Sequence, residues 1–298
     1  MCPLVRKWGI IRDEAKNMNC SIVYFSQTGN TKTIAEAICK GLVDGGNRCD
    51  LYTLEKAASK PEKLKGYDVI GIGTPVFYFQ PPYNVVDFLK SLYFLRGKHA
   101  FLFITHGGEP GRTFPKMAKL LRKNGITLIG TYRSRGAETA QHYVFAGYDL
   151  SPGHPNEREM AGAVDFGAKI PTLYKNALAG DIAEMPELKP RIDKWYLRGV
   201  YMTKPLVNLT TPRRRVDKKL CDKCGACAKK CPSRVIKMNP YPEFKGSCLR
   251  CYYCEKICPK NAIKCNWGFV VWIGRRDIEK HYKKNPEMEC RENKYFRK

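Results

Sequence analysis

Residues 20–31 read CSIVYFSQTGNT: an apolar run, Cys20–Phe25, then Ser26-Gln27-Thr28-Gly29-Asn30-Thr31, then at once the amphipathic stretch Thr31–Val43. The order is strand, tight loop, helix. Hydroxyls at 26, 28 and 31, a glycine that lets the backbone close in, and the free amides of a helix start together make a cradle for a phosphate. The loop has no lysine at the Walker position and the chain lacks G-x-x-x-x-G-K-[ST] there, which excludes a nucleoside-triphosphate loop. An ordinary Ser/Thr-capped strand–helix turn uses the same residue types, so the surroundings must decide.

Those surroundings repeat the pattern. Further strand-like runs are Arg48–Thr53, Asp68–Gly73, Ala100–Thr105 and Thr127–Tyr132, and helix-like stretches are Asn84–Leu95, Thr113–Lys123 and Asn156–Leu178, with Asn156 as an N-cap. Between the second and third strands only a short helix is expected, around Pro61–Leu64. Strict alternation predicts an α/β fold, a doubly wound five-stranded parallel sheet in the order 2-1-3-4-5, with its ligand at the carboxyl ends of the strands. No G-x-G-x-x-G with a following acidic residue, no G-x-S-x-G and no H-E-x-x-H occurs, so neither a Rossmann nicotinamide site nor a hydrolase or zinc-protease centre is written here.

With that context the segment 20–180 resembles the flavodoxin family, which binds FMN through an S/T-x-T-G-x-T loop in this place. The resemblance implies that Ser26, Gln27, Thr28, Gly29, Asn30 and Thr31 hold the FMN phosphate. It implies two more loops beside the flavin ring, here Thr74-Pro75-Val76-Phe77-Tyr78-Phe79 and Thr105-His106-Gly107-Gly108-Glu109. The first has no tryptophan, and His106 stands where an aromatic is usual. Tyr78 is the favoured stacking ring, with Phe77 and Phe79 as core or rim, and His106 as a loop residue bonded to backbone.

Eight of the fourteen cysteines form two copies of C-x-x-C-x-x-C-x-x-x-C-P: Cys221, Cys224, Cys227, Cys231 with Pro232, and Cys248, Cys251, Cys254, Cys258 with Pro259. A shift of 27 residues lays one copy on the other and Ile236-Lys237 on Ile263-Lys264. Zinc favours paired C-x-x-C knuckles and disulfides need an oxidising compartment, and neither suits this run. Residues 216–265 resemble the bacterial-type two-cluster ferredoxins, a small α+β fold. In that family the cysteine before proline serves the opposite cluster. The implied ligand sets for two [4Fe–4S] clusters are Cys221, Cys224, Cys227 and Cys258, and Cys248, Cys251, Cys254 and Cys231. The other six cysteines show no metal spacing, and Cys20 and Cys39 read as buried apolar residues.

The expected organisation is an N-terminal extension, 1–19, with Met1 and Met18 as alternative starts; the FMN domain, 20–180; a linker, 181–215, where Gly180, Pro186, Pro190, Pro205 and Pro212 interrupt any helix and Trp195–Met202 packs on a domain; the cluster domain, 216–265; and a basic tail, 266–298. No apolar run reaches the ~18 residues of a membrane span, and the N-terminus lacks a secretory pattern. Free thiols beside cluster cysteines point to a reducing cytoplasm. Formal net charge is +25, with +9 in residues 1–180 and +16 in the remainder. Runs such as Arg213-Arg214-Arg215 read first as a solvated face, next as a surface that steers an acidic redox partner, a reductase or ferredoxin, and last as a nucleic-acid site. The expected function is electron transfer between two clusters and FMN, and on to that partner. FMN takes one or two electrons and each cluster passes one. The alternative is an FMN oxidoreductase acting directly on a small organic substrate or NAD(P)H, for which no acid–base constellation is present.

Overall fold

The computed structural model describes residues 17–138, 148–189, 203–268 and 290–292. The Trp195–Met202 segment, most of the N-terminal extension and most of the tail lie outside them. Five parallel strands, β1 (Asn19–Tyr24), β2 (Arg48–Thr53), β3 (Val69–Pro75), β4 (His99–His106) and β5 (Thr127–Arg135), form a sheet in the order β2-β1-β3-β4-β5. Both faces of its central strands are covered, and successive side chains serve different layers. Ile22, Phe101, Phe103 and Ile129 meet the helices α1 (Asn30–Asp44) and α5 (Glu157–Leu178). Val23, Ile70, Ile72, Leu102 and Ile104 meet α3 (Tyr83–Ser91) and α4 (Thr113–Lys123). Cys20 and Cys39 are buried within the first of these layers, as apolar filling.

Two glycines set the distance between α1 and α5. A Cβ on Gly41 would stand 2.0 Å from the Val164 carbonyl oxygen, and one on Gly167 would stand 2.1 Å from that of Ile38. The helices therefore touch backbone to backbone. Asn156 caps α5 with a reciprocal box: its side chain accepts from Arg158 and Glu159 amides while Glu159 accepts from the Asn156 amide.

Two expectations need correction. The β2–β3 connection holds a further helix, α2 (Leu54–Ser59), before the 3-10 turn Pro61–Gly66. Thr53 accepts from the Lys56 amide and so starts it, with Leu54 and Ala57 buried beneath. Nor do the prolines abolish helix in the linker: α6 (Lys204–Thr210) has Pro205 in its first turn, where the missing amide costs nothing.

The cysteine-rich lobe comprises β7 (Arg214–Val216), α7 (Ala226–Lys229), β8 (Ile236–Asn239), β9 (Tyr241–Phe244), α8 (Tyr253–Lys256) and β10 (Ile263–Cys265). Antiparallel pairs β7–β10 and β8–β9 flank a small core of Cys227, Val235, Ile236 and Ile263. β6 (Tyr148–Leu150) pairs with β11 (Cys290–Glu292) as a separate two-stranded sheet. The 27-residue repeat is written into the backbone. Left-handed φ values recur at Lys223 and Arg250 (62° and 56°), at Gly225 and Tyr252 (70° and 53°), and at Arg234 and Asn261 (50° and 48°). Five of these six residues are not glycine, so the loop geometry is imposed by the fold rather than by local preference.

The lobe is seated on the α/β unit through its second cysteine loop. Leu249, 5% exposed, belongs to the same hydrophobic cluster as Ile72, Val85 and Phe88. Arg234 pairs with Glu55, and Lys204 lies over the Tyr83 ring at 5.7 Å.

Candidate functional site

A cleft opens at the carboxyl ends of β1, β3, β4 and β5. Its floor is the 26–31 loop. Gly29 there has φ 108°, a conformation that side chains rarely adopt, and its amide bonds the Ser26 hydroxyl at 3.2 Å. Thr31 is buried and shares a 2.7 Å hydrogen bond with Thr105. That bond ties the helix start to the end of β4. Ser26, Gln27, Thr28, Asn30 and Thr31 line the cleft.

Of the expected ring loops, Pro75, Val76 and Phe77 line one wall and Thr105, His106 and Gly107 another. Gly136, Ala137 and Glu138, which the sequence did not single out, supply a third. β5 runs on to Arg135, past the end expected at Tyr132, and so delivers these residues to the rim. Asn30 anchors them by donating to the Ala137 carbonyl at 3.2 Å. Thr74, Gly108 and Gly29 support the loops from behind. The Thr74 hydroxyl bonds the Pro75 carbonyl at 3.0 Å, and Gly108 offers its carbonyl to His106 Nδ1 at 2.8 Å. Burial, followed by Arg133 and opposed by that carbonyl, pulls the His106 pKa down to about 4. The imidazole is therefore neutral near pH 7, with its Nδ1 proton on Gly108 and Nε2 left as an acceptor.

Tyr78 stands outside the set that lines the cleft. Phe77 and Gln80 exchange both backbone bonds, at 2.9 and 3.1 Å, around Tyr78 and Phe79 with φ 51° and 60°. This is a type I′ turn without glycine. It is held by the Arg112 amide donating to the Phe79 carbonyl at 2.7 Å and by Lys116 donating to Gln80 Oε1 at 2.6 Å. The turn points Tyr78 at the second cysteine loop, where its hydroxyl donates to the Arg250 carbonyl at 2.5 Å. Burial, then Tyr252 and Cys251, hold the phenol well above its ordinary pKa, so it stays a neutral donor. Gln27, from the phosphate-type loop, donates to the Cys251 carbonyl at 3.4 Å.

Seven of the eight cysteines of the two runs fall into two electrostatic neighbourhoods. Cys251 feels Cys248 and Cys231, and Cys254 feels Cys251, Cys248 and Cys231. Cys227 feels Cys258 and Cys221. Each neighbourhood thus takes one member, Cys231 or Cys258, from the other run. Cys224 is exposed. Backbone amides already aim at sulfur: Arg250 at Cys248 (3.3 Å) and Ala262 at Cys258 (3.2 Å). Burial pushes Cys251 and Cys254 up to about 12, so as bare groups they remain thiols. Bound metal supplies the positive charge that makes thiolates of such groups. Among the described residues no set of three His, Cys, Asp or Glu closes on a single-ion site. Cysteine thiolate is the donor that a four-iron cluster takes, and it is the donor these loops offer.

Arg214 is a second residue the sequence misjudged. Within Arg213-Arg214-Arg215 the outer two are exposed, but the middle one is turned inward by the period of two along β7. Its Nη1 donates to Cys248 Sγ at 2.7 Å.

A flavodoxin domain model matches residues 21–145, and a 4Fe-4S binding domain model matches residues 214–237. Flavodoxin 1 of Salmonella typhimurium is 29% identical over 184 residues, 58% of this chain and 88% of that protein. An uncharacterized protein of Methanocaldococcus jannaschii is 26% identical over 149 residues, 47% of this chain and 89% of its own length. Among solved structures, a flavodoxin from the domain Archaea aligns with a TM-score of 0.43 and 21% identity over 53% of this chain and 99% of its own. Among the described residues no helix is long and apolar enough to cross a membrane. The chain joins a flavodoxin-type domain to a ferredoxin-type 4Fe-4S domain, a pairing that supports an electron-transfer role.

Proposed function

We propose that the chain passes electrons between two [4Fe–4S] clusters and one FMN, with the flavin domain at residues 20–180 and the clusters at 216–265. Ser26 to Thr31 hold the phosphate, and the loops 74–78 and 105–108 border the ring. Cys248, Cys251, Cys254 and Cys231 hold an inner cluster beside the cleft; Cys221, Cys224, Cys227 and Cys258 hold an outer one. When bound, the clusters supply one-electron steps and the flavin couples them to two-electron chemistry.

The carrying observation is the single hydrogen bond from Gln27, a cleft residue, to the backbone of Cys251. It brings the second cysteine loop into direct contact with the phosphate-type loop. The neutral imidazole of His106 offers an acceptor to the cleft, and Tyr78 fixes the distance between cleft and cysteine loop.

An acidic redox protein, a ferredoxin or reductase in a reducing cytoplasm, is the partner. The outer cysteine loop suits it: Cys224 is exposed, and Lys218 and Lys223 lie over the Tyr241 ring at 5.5 and 5.1 Å. The deciding experiment is flavin, iron and sulfide analysis of anaerobically purified protein. About eight irons and eight sulfides per flavin are expected for two four-iron clusters. Colourless protein, or zinc in place of sulfide, rejects the reading. Rapid, saturable NAD(P)H oxidation by the purified protein alone would replace it with a direct oxidoreductase.

A further inference from the structure

Arg214 opens β7, where it faces Cys265 of β10. Besides donating to Cys248 Sγ at 2.7 Å, its guanidinium carbon stands 4.8 Å from the Phe244 ring centre and 5.8 Å from that of Tyr252. The group is thus enclosed by two aromatic faces and a cysteine sulfur. Its Nε is buried with no hydrogen-bond partner among the described residues. A guanidinium is always charged, and a buried charge without an anion is costly. The groups around it that could offer an anion are chiefly cysteine sulfurs, Cys248 and Cys254, followed by the Tyr252 phenol, which burial holds neutral. The side chain is therefore built to face a group of thiolates carrying net negative charge.

The other half of the repeat has no counterpart. Twenty-seven residues on from Arg214 stands Tyr241. The cations near it, Lys218 and Lys223, are exposed, where water and salt screen them. Among the described residues no cationic side chain donates to Cys221, Cys224, Cys227 or Cys258.

Cluster potentials follow net charge, hydrogen bonds to the sulfurs and exposure. Adding an electron adds negative charge, so a fixed buried cation bonded to a ligand sulfur favours the reduced form. Resting on the two-cluster reading above, we infer that Arg214 holds the inner, flavin-side cluster at a higher reduction potential than the outer one, so that electrons run inward. The balance is one electron per event: the outer couple is oxidised as the inner couple is reduced, and the external one-electron donor restores the outer couple.

The test is an anaerobic redox titration of the holoprotein followed by electron paramagnetic resonance, with the inner couple identified by its loss in Cys254→Ser. Wild-type protein shows two couples, the inner one higher. In Arg214→Gln the inner couple falls by at least a tenfold change in its oxidised-to-reduced ratio, about 59 mV for one electron. The outer couple does not move. Arg214→Lys keeps the charge but not the fork of donors, and gives a smaller fall. An inner potential unchanged in both variants, or an equal shift of both couples, overturns the inference while leaving two clusters in place. If Arg214→Gln does not retain its inner cluster, the lysine variant decides by the same criterion. Iron and sulfide sufficient for only one cluster in the wild type overturns the two-cluster reading, and the inference with it.

Discussion

Leu249→Ala tests whether the cysteine lobe is seated on the flavodoxin-type domain as described. Leu249 is 5% exposed and belongs to the hydrophobic cluster that includes Ile72, Val85 and Phe88, although it lies between two cysteines of the repeat. Truncation removes roughly three methylene equivalents at about 0.8 kcal/mol each. The unfilled space adds to that, and the total for such sites is about 2–5 kcal/mol. We take about 3 kcal/mol. The loss falls on the seating of the lobe more than on either core, because the side chain crosses between them. At about 1.4 kcal/mol per tenfold, the lifted state becomes roughly a hundredfold more populated. Hydrogen exchange followed by mass spectrometry reads this directly: segments 74–80 and 247–253 should exchange roughly a hundredfold faster, while β1 and β4 keep their protection. Leu220→Ala is the control, since Leu220 is 44% exposed and should change stability by less than about 0.5 kcal/mol. Unchanged exchange in both segments of the Leu249 variant would refute the seating.

Three further outcomes are expected. Gly167→Ala forces α1 and α5 apart, because the new Cβ would meet the Ile38 carbonyl oxygen at 2.1 Å; a loss of about 1–3 kcal/mol should appear in urea unfolding, whereas Gly66→Ala, with nothing within 4 Å, should be near neutral. In the apoprotein, His106 has a folded pKa near 4, below its ordinary 6.5, so the unfolded chain takes up a proton first as pH falls. Stability should drop by up to about 1.4 kcal/mol per unit between those values and level off above pH 6.5, and His106→Asn should remove this part of the slope. Cys231→Ser should abolish the inner cluster's resonance signal and spare the outer one, with Cys258→Ser doing the reverse; loss of the sequence-adjacent cluster instead would reject the crossed ligand sets.

What could be read from the sequence was local in origin. The phosphate-type loop announces itself because hydroxyls, glycine and helix start lie within six residues. The sheet order followed from unbroken alternation of strand and helix, and Asn156 named its own helix start. The helix at Leu54–Ser59 escaped because one Thr cap and two buried residues are too little pattern to stand out. Pro205 misled because proline breaks a helix interior yet suits its first turn. The larger omissions are tertiary. Nothing next to Leu249 or Arg214 in the chain says that the first enters a distant core or that the second points at sulfur. Tyr78, marked for its ring, is aimed by a type I′ turn whose two left-handed residues are not glycine. Only packing against Arg112, Lys116 and the cysteine loop maintains that shape.

The recurrence of left-handed backbone at positions 27 apart means that the lobe is a plug with two interchangeable prongs, as far as its main chain is concerned. What keys it is a handful of side chains: Leu249 where the other prong has Asp222, Tyr252 where the other has Gly225. A duplicated segment has thereby become polar in the directional sense, one prong fitted to its socket and its twin left facing solvent at Cys224. Exchanging those side chains between prongs would turn the plug around without redesigning its frame.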